Sequence, residues 1–139
     1  MRIHNLYEDT DGESHFRDIE VQWVQDLPGG KLSERRPATG VIFRETSGDY
    51  NLDWHPAPQR QYIVNLDAEV EITASDGERR VIGAGEVILV EDTTGKGHLS
   101  KAVSGRLAVR SSSLSTEGRR RLAWCRAWAS ATGWSALGR

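Results

Sequence analysis

The sequence predicts an all-β domain, an antiparallel sandwich or barrel of the double-sheet jelly-roll type. About nine short runs rich in β-branched and aromatic residues follow one another at the 8–12-residue spacing typical of such folds. Turn-forming Gly, Pro, Asp and Ser residues separate these runs, and no helical periodicity precedes residue 114. The runs and the turns between them therefore favour packed sheets over a helical or mixed fold.

Length and composition are those of one globular domain. A chain of 139 residues and 15.5 kDa can bury a core without disulfides or structural metals. The single cysteine, Cys125, cannot form an internal disulfide, and the N-terminus lacks the apolar run of a signal peptide. No stretch reaches the roughly 18 apolar residues of a membrane-spanning helix. We therefore expect a cytoplasmic protein with no membrane partner.

The charge distribution argues against nucleic acid as the main partner. The net charge is −2, and residues 1–110 carry 19 of the 20 acidic side chains. A phosphate backbone is bound by a basic face, which an acidic body does not offer.

Residues 1–18 are predicted to form a polar N-terminal arm. Three of its apolar side chains are candidates for docking on a sheet edge: Ile3, Leu6 and Tyr7. His4 and His15 lie in this polar context, so both are expected to be solvated.

Residues 19–110 are predicted to form the barrel. Its strands are expected at 19–24, 40–45, 50–54, 62–65, 70–73, 81–82, 87–90, 98–103 and 106–110. Asp76-Gly77 predicts a tight hairpin, because a primed turn needs the positive φ that glycine adopts at little cost. Trp23 and Trp54 are interpreted as core residues.

Residues 111–139 differ in composition from the rest of the chain. From residue 119 onward they are almost entirely Arg, Ala, Trp, Ser, Gly and Leu, and they hold three of the five tryptophans. One interpretation is a C-terminal helix of roughly 15 residues, with Leu122, Cys125 and Ala129 on one face. The other is a non-native segment, because a GC-rich gene translated out of frame yields this vocabulary. Both interpretations stay open, and neither places a functional site here.

Two histidines bracket the central strands. His55 precedes the first of them, and His98 follows the last. In a closed β-structure two such residues can meet inside the barrel. Histidine titrates near neutral pH and is the commonest metal ligand, so the pair is the main candidate for chemistry.

His55 lies two residues before Ala57 and six before Gln61, in D-W-H-P-A-P-Q-R-Q. This spacing resembles the first motif of the cupins, G-x5-H-x-H-x3–4-E-x6-G. Cupins are small jelly-roll barrels that usually hold one metal ion. On this resemblance Ala57 stands at the second histidine and Gln61 at the glutamate.

A second stretch, G-E-V-I-L-V-E-D-T-T-G-K-G-H, resembles the other cupin motif, G-x5-P-x-G-x2-H-x3-N. Gly85, Gly95 and His98 match its glycines and its histidine. E-D-T-T replaces its proline region, and one open interpretation of Asp92-Thr93-Thr94-Gly95 is only a turn in which Asp92 bonds its own loop. The octet E-D-T-T-G-K-G-H is similar to the signature of a cupin subgroup without a settled activity. The resemblance covers roughly residues 40–110.

The resemblance implies a metal site with altered ligands. A cupin site has three histidines and one carboxylate, which suit iron, manganese, nickel or zinc. Here a divalent metal would be held by His55, Gln61 and His98, with one histidine missing. Asp53 shares the strand face of His55, and Glu91 precedes His98, so either could supply a carboxylate. A metal-free site is the alternative.

The resemblance also implies a small-molecule enzyme acting inside the barrel. His55 and His98 would serve as metal ligands or acid–base residues, with Asp53 and Glu91 tuning them. Isomerisation, cyclisation, dehydration or, with iron, oxygenase chemistry would suit such a site. A module that binds or senses an oxygenated organic molecule without turnover is the alternative. A homodimer is implied as well, and no nucleotide cofactor is expected, because G-K-G is too short for a phosphate loop.

Overall fold

The computed structural model describes residues 1–103 and the backbone of one strand at 108–115. Twelve strands lie in this part of the chain, and no helix there has the length and hydropathy needed to cross a membrane. The strands, numbered β1 to β12, are Arg2–Glu8, Ser14–Glu20, Trp23–Leu27, Gly30–Ser33, Gly40–Ser47, Asn51–His55, Gln61–Asn65, Val70–Ala74, Arg79–Ile82, Val87–Val90, His98–Ala102 and Ala108–Ser115.

Strands β5 to β12 form a jelly roll of two sheets. The larger sheet has the order β2-β1-β10-β7-β12-β5, and the smaller has the order β6-β11-β8-β9. From β5 onward the chain alternates between the sheets, except that β8 and β9 form a hairpin within the smaller one. This strand order is that of a double-sheet jelly roll, the architecture that cupins share, and it confirms the predicted fold class.

Apolar side chains of both sheets form the core. The buried cluster comprises Leu6, Phe16, Ala57, Ile72, Ala74, Ile82, Ile88 and Val90. The run V-I-L-V of β10 is apolar without alternation because this strand lies between β1 and β7 and is covered on both faces. Full burial of a large apolar side chain stabilises the fold by about 1.5–3 kcal/mol, so the leucine, isoleucine, valine and phenylalanine members of the cluster contribute most.

The first 20 residues form a hairpin, here called the N-terminal hairpin, that extends the larger sheet. β1 pairs in parallel with β10, and β2 pairs with β1. Leu6 of this segment is fully buried. The expectation that His4 is solvated is wrong, whereas His15 is partly exposed, as expected, but hydrogen-bonded. His4 is buried 3.6 Å from the Glu86 carboxylate, and His15 lies between two carboxylates.

β3 and β4 form a two-stranded sheet of their own. The sequence predicts one strand over 19–24, but β2 ends at Glu20 and β3 begins at Trp23. Every residue of β3 and β4 is exposed. Trp23 is 45% exposed and Trp54 is 49% exposed, so the prediction that both are core residues is wrong. Trp54 faces outward because it alternates with His55 along β6.

β8 and β9 form the hairpin that Asp76-Gly77 predicts. Gly77 has φ of 94°, in the left-handed region. The Ala74 N–H donates to the Glu78 carbonyl, so the loop contains three residues rather than the two of a primed turn.

β12 is an inner strand of the larger sheet. It pairs with β5 along its whole length and with β7 over Ser111 to Ser115. The strand therefore continues past the predicted end of the barrel at Arg110. The predicted C-terminal helix falls on residues 116–139, which lie outside the described residues.

Candidate functional site

His55 and His98 lie opposite each other in the smaller sheet. His55 ends β6, His98 begins β11, and the two are register partners. Their ring centroids are 4.4 Å apart, with the ring planes tilted by 55°. Two residues far apart in sequence are thus brought together at one end of the barrel by the pairing of β6 with β11.

Asp92 orients His98. Its Oδ2 lies 2.7 Å from Nδ1 of His98, and the two side chains are 0% and 7% exposed. A buried carboxylate accepts, so Nδ1 carries the hydrogen, and in the neutral form of the ring Nε2 presents its lone pair. The sequence interpretation of Asp92 as only a turn residue is wrong. The only sequence feature that could have indicated the contact is the separation of six residues between Asp92 and His98. That separation is equally compatible with a turn residue.

The backbone orients His55. Its Nδ1 lies 2.6 Å from the carbonyl oxygen of Asp53, so Nδ1 donates and Nε2 presents its lone pair. Burial, followed by the charge of neighbouring His98, holds the pKa of the His55 imidazole below its ordinary value. His55 is therefore neutral at pH 7. Among the described residues no side chain bonds Nε2 of either histidine, so both nitrogens are available to a ligand.

Gly97 permits the close approach of the loop before His98 to β6. Its φ is 74°, and a Cβ at this position would overlap the backbone carbonyl of His55. The Asp92 carbonyl also accepts from the Ala57 N–H at 2.8 Å. Ala57 is buried, so the position that matches the second cupin histidine serves here as a backbone anchor for the loop.

The same loop rests on the N-terminal hairpin. The Glu8 carboxylate accepts from the Thr94 N–H at 2.9 Å, the Thr94 hydroxyl at 2.7 Å and the Gly95 N–H at 2.7 Å. Lys96 donates its backbone N–H to the Gly12 carbonyl at 2.8 Å. A Cβ on Gly95 would overlap that carbonyl, so glycine is required for this contact. Contacts with the N-terminal hairpin thus explain several residues of the octet E-D-T-T-G-K-G-H.

The other predicted site residues are placed differently. The Asp53 carboxylate accepts from the Trp54 N–H at 2.8 Å, so Asp53 contributes its carbonyl to His55 and not its side chain. The Glu91 carboxylate accepts from Arg60 at 2.6 Å and from Asn5 at 2.8 Å, and neither contact involves a histidine.

Gln61 lies on β7, in the larger sheet. Its side chain is buried, and its Oε1 has no hydrogen-bond partner in the described part of the chain. Gln61 therefore presents an acceptor toward the interior, from the sheet that faces the histidines.

Four further polar residues were missed by the sequence argument. Arg44 and Thr46 share the inward face of β5, and the Tyr50 hydroxyl bonds the Ser100 hydroxyl at 2.6 Å. Ser100 follows His98 by two residues on β11, so the two share a strand face. The alternation in V-I-F-R-E-T could have indicated that Arg44 and Thr46 point the same way.

The donor set does not fit the ion of a standard cupin. The described residues contain no group of three or more His, Cys, Asp or Glu side chains arranged to hold a metal. His55 and His98 supply two imidazoles, and the carboxylate nearest them, Asp92, is already bonded to His98. Two neutral imidazoles leave the charge of a divalent cation uncompensated.

Comparison with known proteins finds several distant structural likenesses. No protein-family model and no curated protein sequence matches the chain. The conserved SPY1581 protein of unknown function from Streptococcus pyogenes is similar at 20% identity over 63% of this chain and 71% of that one, with a TM-score of 0.45. The Cnp3 cupin domain of Schizosaccharomyces pombe is similar at 15% identity over 98% and 96%, with a TM-score of 0.43. The strand order of the two sheets is what defines the class, an all-β jelly roll.

Proposed function

We propose that this jelly roll is a cupin that binds an oxygenated organic molecule between its sheets and acts on it by acid–base chemistry. The observation that carries the proposal is the buried Asp92–His98 hydrogen bond beside His55. An imidazole held by a carboxylate, next to a second imidazole, is the composition of a proton-transfer site.

His98 is the proposed general base. Asp92 holds the Nδ1–H, which leaves Nε2 to take a proton from the ligand, and the carboxylate stabilises the imidazolium that forms. His55 stays neutral, because burial lowers its pKa, and its Nε2 accepts a hydrogen bond from a ligand hydroxyl. A base that takes a proton and returns it to a neighbouring atom supports isomerisation or dehydration. Both reactions are possible without a metal.

Binding without turnover is the second candidate. Glu91 is bonded to Arg60 and Asn5, and the Asp53 carboxylate is bonded to the Trp54 N–H. Among the residues that the structure describes, the site therefore has one carboxylate-supported histidine and no second carboxylic acid placed to protonate a leaving group. A barrel that senses or carries its ligand without turnover requires neither a general base nor a general acid.

A thermal-shift screen of polyols, sugars and hydroxy acids tests the proposal. The variants are His55→Ala and His98→Ala, with His15→Ala as the matched control, because His15 is also a carboxylate-bonded histidine but not part of the pair. We expect a ligand that stabilises the wild type and the control but neither site variant. Equal stabilisation of all four proteins would overturn the site. Product formation from that ligand separates catalysis from binding.

Elemental analysis tests whether a metal takes part. Protein purified without chelator or histidine tag is compared with the His55→Ala, His98→Ala double variant. We expect no stoichiometric iron, manganese, nickel or zinc in either protein, since the described donor set provides two imidazoles. Near-stoichiometric metal that disappears in the double variant would replace the acid–base proposal with a metallocupin.

A further inference from the structure

Arg44 carries a positive charge on the inward face of β5, and no ion pair to it is found among the residues that the structure describes. It lies on β5 and alternates in step with buried Thr46, so both side chains belong to the inward face of that strand. Nε of Arg44 and Oγ1 of Thr46 are buried and have no hydrogen-bond partner in the described part of the chain. Arginine remains charged in proteins, and an unpaired buried donor costs about 1–3 kcal/mol.

The neighbours of Arg44 connect it to the histidine pair. Its guanidinium lies 5.5 Å from the centroid of the Tyr50 ring, and the Tyr50 hydroxyl bonds Ser100 on β11. Ser100 and His98 share a face of that strand. Burial, then His98 and, more weakly, Arg44 lower the pKa of His55, so the guanidinium is within electrostatic range of the pair.

We infer that Arg44, with Thr46 beside it, forms an anion subsite of the histidine site, and that the ligand is an oxygenated carboxylic acid. The inference rests on the proposed function, to which it adds the ligand class. A guanidinium presents parallel N–H donors that match the two oxygens of a carboxylate, and the Thr46 hydroxyl adds a third donor. With its carboxylate on Arg44, a hydroxy acid would extend along the Tyr50–Ser100 contact toward the histidine pair.

The test compares acids with uncharged analogues. Malate and gluconate are titrated against glycerol and glucose by calorimetry, with wild type, Arg44→Gln, Arg44→Lys and the control Arg79→Gln. Arg79 is exposed on β9 and serves as a matched loss of charge. We expect an acid to bind wild type and control, to lose roughly tenfold or more in affinity with Arg44→Gln, and to retain part with Arg44→Lys.

Two outcomes separate the inference from the proposed function. Acid binding that is the same in wild type and Arg44→Gln, or binding of uncharged polyols as tight as that of acids, overturns the anion subsite. If binding of those polyols still requires His55 and His98, the histidine site is supported and the anion subsite is not. Acid binding that requires Arg44 but neither histidine supports the subsite and overturns the proposed role of the pair. If Arg44→Gln does not fold, Arg44→Lys, which keeps the positive charge, is compared with wild type instead.

Discussion

At the scale of the residue, Gly97 determines how closely the two histidines approach. It precedes His98 directly, has φ of 74°, and lies against the backbone carbonyl of His55. Any side chain at this position would push the loop away from β6. The geometry of the pair therefore depends on a residue that takes no part in the chemistry.

Gly97→Ala should destabilise the protein more than Gly77→Ala. Both glycines have positive φ, which costs alanine about 1 kcal/mol. Only Gly97 also meets backbone, and relieving that overlap costs about a further 1–3 kcal/mol, whereas nothing lies within 4 Å of a Cβ at Gly77. Urea denaturation measures both differences. Equal losses for the two variants would contradict the steric argument.

His15 joins two loops through its ring. Nδ1 lies 2.6 Å from Asp76, in the β8–β9 loop, and Nε2 lies 3.0 Å from Asp9, in the turn of the N-terminal hairpin. The hydrogen bond to Asp9, followed by that to Asp76, raises the pKa of His15 above its ordinary value, and the same contact lowers the pKa of Asp9. The protonated ring can donate to both carboxylates at once.

This arrangement predicts a pH-dependent contribution to stability. Because the folded-state pKa of His15 is raised, its contribution is complete below the unfolded value of about 6.5 and is lost as the pH rises through the folded value. His15→Gln should therefore lower the melting temperature more at about pH 5.5 than at about pH 9. A difference in melting temperature that is the same at both pH values would show that the charge is not involved.

At the scale of the element, the N-terminal hairpin supports the loop that carries Asp92. Glu8 accepts three hydrogen bonds from that loop, and the Ser14 hydroxyl donates to the Gly97 carbonyl at 2.6 Å. Burial acts to raise the pKa of Glu8, but the bonds from Gly95 and Thr94 outweigh it and hold the pKa below its ordinary value. The hairpin is thus part of the barrel and also a support for His98.

Glu8→Ala should change the environment of the His98 ring, although Glu8 itself does not contact His98. Loss of the carboxylate frees the loop, so the His98 Nδ1–H resonance that reports the bond to Asp92 should shift or broaden in NMR spectra. Glu8→Gln keeps one acceptor oxygen and should retain part of the signal. Asp18→Ala is the matched control, because Asp18 lies on β2 and pairs with Arg80. An unchanged His98 signal in Glu8→Ala would show that the hairpin does not position it.

At the scale of the whole molecule, β12 holds β5 in the larger sheet. β12 lies between β5 and β7, and five of its residues, Ser111 to Ser115, have register partners in both neighbours. Without those residues β5 loses its place in the larger sheet. The strand also keeps Arg44, on β5, beside the rest of the barrel.

Truncation tests this placement directly. A chain that ends at Arg110 lacks Ser111 to Ser115 and should lose cooperative thermal unfolding, since β5 is left without most of its partner. A chain that ends at Ser115 keeps every described strand and should unfold cooperatively. Circular dichroism melts of the two chains provide the measurement. Similar melts would show that β12 is dispensable.

The fold class and most of the strands are predictable from the amino-acid sequence, because alternation and turn conformation act over a few neighbouring residues. Asp76-Gly77 and the run V-I-L-V are such local signals, and both identified their elements. R-I-H-N-L-Y-E carries no comparable signal. Its conversion from a predicted arm into β1 depends on the edge that β10 offers.

The sequence also indicated that His55 and His98 could meet, because they bracket the central strands. The residues that surround the pair depend on long-range packing. Asp92 reaches His98 because the N-terminal hairpin shapes the loop between them, and Arg44 comes from the edge of the other sheet. Such contacts depend on which strand edges pair and which faces pack, and those choices are made by long-range burial that no short stretch of sequence encodes.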